Sequence, residues 1–320
     1  MTAFLDRLRV ELPVVQAGMG SGIAGPELAA AVSDAGGLGT IGTLPPAALR
    51  AALREARSQT ERPIAVNLLL PFAEPGHWQA AEEADLVVTF WGPPRRRTSG
   101  LWAHQCGSVE EALAARAAGA DAVVAQGVEA GGHVRGELPA RELLERTRAA
   151  LPPGFPVLVA GGIADAADVR EALGAGAAAA VLGTRFVLSN ESGAHPQYKR
   201  RATEGSRTVL TELFGAGWPA PHRVLPNAAT ERWLRRDPSG PAWMRRLHRV
   251  ATPALRRTPQ RATSWLLARQ RPGSPLLGPQ PPTPDGPDAL VEAGPLYAGE
   301  TVARLTDVRP AGELTRALAG

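Results

Sequence analysis

The chain reads as an α/β protein, a (β/α)8 TIM barrel with a small helical subdomain inserted before the last barrel helix. Three observations predict this. Short, near-continuous apolar runs alternate with Ala-rich helical stretches through about residue 190, as expected of parallel strands buried on both faces and linked by helical crossovers. The runs number eight. Glycine-rich signals follow several different runs, which favours a barrel over a doubly wound open sheet, where they gather after the first strand.

The predicted strands are Pro13–Ala17, Gly37–Ile41, Ile64–Leu69, Asp85–Phe90, Leu101–Gln105, Ala122–Ala125, Pro156–Ala160 and Ala179–Leu182. Helix starts fall between them. Pro26-Glu27 precedes Leu28–Ala35, Ser108 with Glu111 forms a capping box before Ala112–Ala118, and Asp165 precedes Ala166–Leu173. Gly119, Gly174 and Gly176 stand where helices should stop. Trp91–Gly100 is too short and too rich in Pro and Gly for a full crossover helix, so that unit is expected to be trimmed. After Phe186 the pattern changes: residues 190–270 lack strand signals and carry helical stretches with Trp218, Trp233, Trp243 and Trp265. Pro272–Asp288 reads as an extended Pro-rich linker and Thr301–Leu318 as the helix that closes the barrel. The expected organisation is therefore barrel strands and candidate site in 1–190, helical subdomain and linker in 191–290, and the C-terminal barrel helix in 291–320.

A chain of 320 residues accommodates two average domains or one large barrel. Cys106 is the single cysteine, which excludes an internal disulfide and fits a reducing cytoplasm. Met1–Arg7 holds an acidic residue and no long apolar segment, so no secretory signal is expected. No run approaches the roughly 18 apolar residues of a membrane span. The expectation is a cytoplasmic protein without a membrane partner. The formal charge is +4, with arginines concentrated from Arg223 to Arg271. Such a run can meet nucleic acid or anionic lipid, but more often forms the solvated face of surface helices; no nucleic-acid partner is expected.

The most informative segment is Ala125–His133, where an apolar strand gives way to Gly131-Gly132-His133. The two glycines allow close approach to the backbone or a positive φ. A histidine at a strand mouth can exchange a proton near neutrality. The predicted seventh strand ends in Gly161-Gly162-Ile163 and the eighth in Gly183-Thr184-Arg185. Barrel phosphate sites commonly follow these two strands, and glycine backbone N–H groups, with the Thr184 hydroxyl, suit an anion. The first strand ends in Gln16-Ala17-Gly18-Met19-Gly20, small enough to admit a flat ring, along which Met19 could lie. Asn67, Gln105 and Gln126 are amides interrupting apolar strands. A buried amide is costly unless paired, so three near strand ends suggest hydrogen bonds to a ligand. No metal site is expected.

The stretches Pro13–Met19, Gln126–His133, Val159–Asp165 and Leu182–Phe186 resemble the FMN-dependent nitronate monooxygenases, formerly 2-nitropropane dioxygenases. The resemblance covers about residues 10–195 and resumes near Tyr297–Glu300. It implies that Ala17, Gly18 and Met19 pack on the isoalloxazine of FMN. It further implies that Asn67, Gln105 and Gln126 bond to the flavin edges or ribityl chain, and that Gly161, Gly162, Gly183 and Thr184 hold the phosphate. Gly131 and Gly132 belong to the same cofactor-binding set, and His133 becomes the proton-abstracting base facing substrate and flavin. The reaction implied is oxidation of alkyl nitronates by O2 to a carbonyl compound and nitrite, by a chain that can pair as a homodimer. The flavin-dependent enoyl-acyl-carrier-protein reductases share nearly all these motifs, which keeps an NAD(P)H-dependent enoyl reductase as the alternative. A non-catalytic barrel acting as a binding or scaffold protein is the alternative from another class. An inosine-monophosphate-type dehydrogenase needs a loop cysteine, and Cys106 lies in or just after a strand.

Overall fold

The computed structural model describes residues 2–258 and 269–320. All eight predicted strands form: β1 (Val14–Gln16), β2 (Gly39–Ile41), β3 (Ile64–Leu69), β4 (Leu86–Phe90), β5 (Leu101–Cys106), β6 (Ala122–Gln126), β8 (Val157–Ala160) and β9 (Ala180–Leu182). They pair in parallel in the order β1-β9-β8-β6-β5-β4-β3-β2. The two ends of this sheet meet where Val15 bridges Leu38, with Gln16 N donating to Leu38 O at 2.9 Å. The result is a (β/α)8 barrel.

Successive side chains on a strand point to opposite faces, and burial divides them accordingly. Val15, Leu38, Ala65, Leu86, Val88, Ala103, Val124, Leu158, Ala160 and Val181 fill the interior. Ile64, Val66, Leu68, Val87, Trp102, Val123, Val157 and Val159 face the helices, packing with Leu49, Leu53, Leu143 and Leu144. Each fully buried aliphatic side chain contributes roughly 1.5–3 kcal/mol. The first helix, Ala3–Arg7, sends Phe4 and Leu5 into the interior cluster, followed by Leu8 and Val10. Arg7 reaches Asp121, one residue before β6, at 3.5 Å, so this plug occupies the N-terminal end of the barrel. The C-terminal ends of the strands are left to build a site.

The helix starts behave as expected. Ser108 Oγ accepts from Glu111 N at 3.3 Å ahead of Val109–Ala117, and Asp165 accepts from Ala167 N and Asp168 N ahead of Ala166–Gly174. The Trp91–Gly100 connection contains no helix.

Residues 1–130, 135–193 and 307–320 form one compact unit; residues 131–134 and 194–306 form a second. The second unit departs from the expected absence of strands. β10 (Val209–Thr211) and β11 (His222–Val224) pair antiparallel, and β11 also pairs with β7, the two residues Gly132–His133. Its apolar core gathers Leu213, Phe214, Val224, Ala229, Met244 and Leu277. Its helices include Pro196–Thr203, Ala228–Trp233 and Ala242–Arg257; Trp265 lies outside the described residues. The helix expected over Thr301–Leu318 is two pieces, a 3-10 turn at Glu300–Arg304 and a helix at Ala311–Ala319. Pro310 explains the break, since proline lacks the N–H needed in a helix interior and is tolerated at a helix start. Among the described residues, no helix is long and apolar enough to cross a membrane.

Candidate active site

Ala65 and Val88 point into the barrel, and the period of two carries that direction to the last residues of each strand. Asn67 follows Ala65, Gln105 follows Ala103 and Gln126 follows Val124, so all three predicted amides project inward at the C-terminal rim. Asn67 and Gln126 are buried. Ala17, two residues beyond Val15, packs against the same interior cluster. Gln16 points the other way, its Oε1 accepting from Thr40 N at 2.9 Å and tying β1 to β2.

Gly18 is fixed by its neighbour: a Cβ there would come within 2.3 Å of Asn67 Cβ. Met19 is partly buried and packs at the edge of the cluster formed by Val14, Leu28 and Phe186. Thr40 joins the inward set, two residues after inward Leu38, and the sequence reading missed it. Its Oγ1 is buried with no hydrogen-bond partner among the described residues. The signal was a lone hydroxyl in the run Gly37–Ile41, less conspicuous than an amide.

The glycines after β8 and β9 divide by cause. Gly161 and Gly162 have φ of 109° and 74°, values that L side chains rarely adopt. Gly183 has φ −101° and ψ −71°, open to any residue. A Cβ at Gly183 would meet only Ala17 Cβ, at 3.8 Å. Neither conformation nor crowding by the protein requires glycine there. Gly183 lies on the inward phase, two residues beyond Val181, at the N-terminus of the short helix Thr184–Val187. Strand register sets the three rim segments side by side: Gln16 pairs with Leu182 and Ala160 with Val181. Arg185 turns away from them to bond Asp307 Oδ1 at 2.6 Å. Trp91, at the end of β4, has φ 67°, a strained value for a bulky residue, and Arg135 lies 5.3 Å over its ring.

His133 belongs to the second unit. Its ring stacks on Trp218 at 3.6 Å between centroids, with His222 at 5.3 Å and Tyr297 at 5.6 Å. Burial, reinforced by His222, holds its pKa well below the ordinary imidazole value, so it stands neutral and able to accept a proton at pH 7. His222 pairs with His133 across β11 and β7. It has both ring nitrogens committed to backbone, Nε2 accepting from Phe214 N at 3.2 Å and Nδ1 bonding Ala220 O at 2.8 Å. Its role is to shape the surroundings of His133. Gly131 is explained within the same unit, since a Cβ would come 2.6 Å from the backbone between Ala298 and Gly299. Gly132 has φ 79° and no protein atom near its Cβ position. Trp218, His222 and Tyr297 were not legible as neighbours of His133, because they lie 85 or more residues along the chain.

Cys106 ends β5 facing outward into the buried helix–strand layer. Burial raises its thiol pKa far above the usual range, so it is an inert core residue.

A closed parallel barrel with polar side chains and open glycine backbone at its C-terminal rim defines an α/β-barrel enzyme. The nitronate monooxygenase family model matches residues 2–92 and 94–319, and the chain belongs to that family, an oxidoreductase family. It is 37% identical to a nitronate monooxygenase of Pseudomonas aeruginosa over 280 residues, covering 70% of this chain and 79% of that one. Among solved structures it is similar to nitroalkane oxidase from Streptomyces ansochromogenes, with TM-score 0.75, 30% identity, and 99% of this chain and 97% of the other covered. It is also similar to FabK from Thermotoga maritima, with TM-score 0.77, 28% identity, and 99% and 94% coverage.

Proposed function

We propose that this chain is an FMN-dependent nitronate monooxygenase that converts alkyl nitronates and O2 to carbonyl compounds and nitrite. The observation that carries the cofactor assignment is Gly183, a glycine that neither φ nor a neighbouring protein atom demands, on the inward rim beside two positive-φ glycines. A phosphate against that backbone accounts for it. Gly161, Gly162, Gly183 and Thr184 would hold the phosphate, and Ala17 and Gly18 would leave room for the ring system. Asn67, Gln105 and Gln126 would bond its polar edges, with Thr40 as a further hydroxyl to the same group.

Bound FMN would supply the redox chemistry between the nitronate and O2. The protein's share is orientation, exclusion of water and proton handling. His133, kept neutral by burial, would take the proton from the carbon bearing the nitro group when the substrate arrives as a neutral nitroalkane. A nitronate needs no such step. The family relationship and the neutral histidine support this reading.

The test is twofold. The protein should purify yellow with one FMN per chain; release of FAD, or of no flavin, overturns the assignment. In anaerobic titration, nitronate should bleach the flavin. Bleaching by NADH or NADPH and not by nitronate selects the enoyl-reductase chemistry, and a colourless protein that takes up no FMN selects the non-catalytic reading.

A further inference from the structure

A pocket opens on the barrel unit beside the outer core between strands and helices. Leu70, Ala73, Trp78, Pro93, Arg95 and Arg97 line a cavity of about 200 Å³, where the connection after β3 meets the helix-free connection between β4 and β5. Its floor is apolar, with Trp78 buried at 8% exposure and packed with Leu70 and Ala73 in the outer core. Its rim is cationic.

The rim is supplied by three successive arginines, Arg95, Arg96 and Arg97, in the connection between β4 and β5. Arg96 is the anchor. It bonds Asp121 at 3.1 Å and Gly100 O at 2.7 Å, and also Gly119 O. Arg95 and Arg97 line the cavity, and among the described residues neither forms an ion pair with a carboxylate. Arg97 lies over the Trp78 ring at 5.7 Å, a cation–π contact that positions the guanidinium without neutralising it. Proline at 93 and 94 limits the backbone freedom of the segment. Two guanidinium groups without carboxylate partners on one cavity suit a phosphate, and the apolar floor beside them, Leu70 and Ala73 with the edge of Trp78, suits a flat ring. The volume suits one ring with its phosphate, not a whole dinucleotide.

We propose that this pocket binds the purine nucleoside phosphate end of a ligand, the phosphate on Arg95 and Arg97 and the ring against the Leu70–Ala73–Trp78 floor. The site lies outside the flavin assignment and stands or falls without it.

Calorimetric titration of the full-length protein as purified, with ADP, adenosine, inorganic phosphate and coenzyme A, tests the proposal. ADP should bind more tightly than either adenosine or phosphate. The double variant Arg95→Gln/Arg97→Gln should weaken ADP about tenfold or more, the loss of one charge-assisted contact or better. A charge-matched control, Arg170→Gln/Arg316→Gln on the helices Ala166–Gly174 and Ala311–Ala319 that pack beside β9 and β1, should bind ADP as the native protein does. Tighter binding of coenzyme A than of ADP assigns the pocket to the nucleotide end of a larger carrier; equal binding assigns it to the free nucleotide. No binding of ADP overturns the proposal, as does an ADP affinity equal to that of phosphate or one that the two variants change alike.

Discussion

At the scale of the residue, the site is a set of inward-pointing positions and the freedom left around them. Gly183 is the sharpest instance. Because a Cβ there meets only Ala17 at 3.8 Å, replacement by Leu should leave the barrel folded and fill the space assigned to the phosphate. The expected result for Gly183→Leu is a cooperative unfolding transition near that of the native protein and loss of most bound FMN, read from the flavin absorbance per chain. Stoichiometric FMN in that variant places the phosphate elsewhere. His133 separates proton chemistry from redox chemistry. A general base contributes about 10²–10⁴-fold, so His133→Asn should lose activity of that order on neutral nitroalkanes and far less on pre-formed nitronates, at unchanged FMN content. Full activity on nitroalkanes removes the histidine from the base role. The depressed pKa also sets the acid limb of the nitroalkane rate: protonation of His133, which switches the base off, should come well below pH 6.5. Asn67, Gln105 and Gln126 were legible because a polar side chain in an apolar strand stands out; Thr40 was not, since threonine is an ordinary strand residue.

At the scale of the element, strands buried on both faces announce themselves as apolar runs, which is why all eight barrel strands could be placed from the chain alone. The second unit offered no such signal. β7 is two residues long, and β10 and β11 have three each, with His222 and Arg223 in the latter. Strands this short are specified by their partners, not by their own pattern. The closing helix failed for a different reason: Pro310 was visible, and it marks a start rather than an interior position. Caps were the most readable of the local signals. Asp165 takes two backbone N–H groups at 2.9 and 3.2 Å, while Asp168 returns the bond to Asp165 N at 3.3 Å. Replacing such a cap by alanine costs about 1 kcal/mol. Asp165→Ala should therefore lower the urea midpoint by that increment divided by the slope, the slope itself being unchanged, and an unaltered midpoint would show that Asp168 alone secures the helix start.

At the scale of the whole molecule, buried imidazoles couple stability to pH. His104 in the barrel is pushed down to about 4, chiefly by burial. His222 in the second unit is pushed down to about 4 by burial, and His133 and His248 are lowered from the same cause. The His104 environment shows why. Trp102 Nε1 donates to Thr89 Oγ1 at 2.8 Å, and that hydroxyl shares a hydrogen bond with His104 Nδ1, also at 2.8 Å, in the buried layer behind β5. When the folded pKa lies below the unfolded one, the unfolded state binds more protons between the two, and stability rises with pH across that window. The stabilisation is thus fully present above about pH 6.5 and is lost as pH falls toward 4. A shift of this size corresponds to roughly 3 kcal/mol per histidine, a large share of the 5–15 kcal/mol that holds a typical domain together. Urea midpoints measured from pH 8 to pH 4 should accordingly stay level to about 6.5 and then fall steeply, well before most carboxylates titrate. His104→Gln, which keeps a hydrogen-bonding group without a titratable ring, should flatten part of that fall at some cost in stability at pH 8. A midpoint that stays level down to pH 4.5 in the native protein, or a fall that His104→Gln leaves unchanged, would remove the buried imidazole of the barrel as a source of its acid sensitivity.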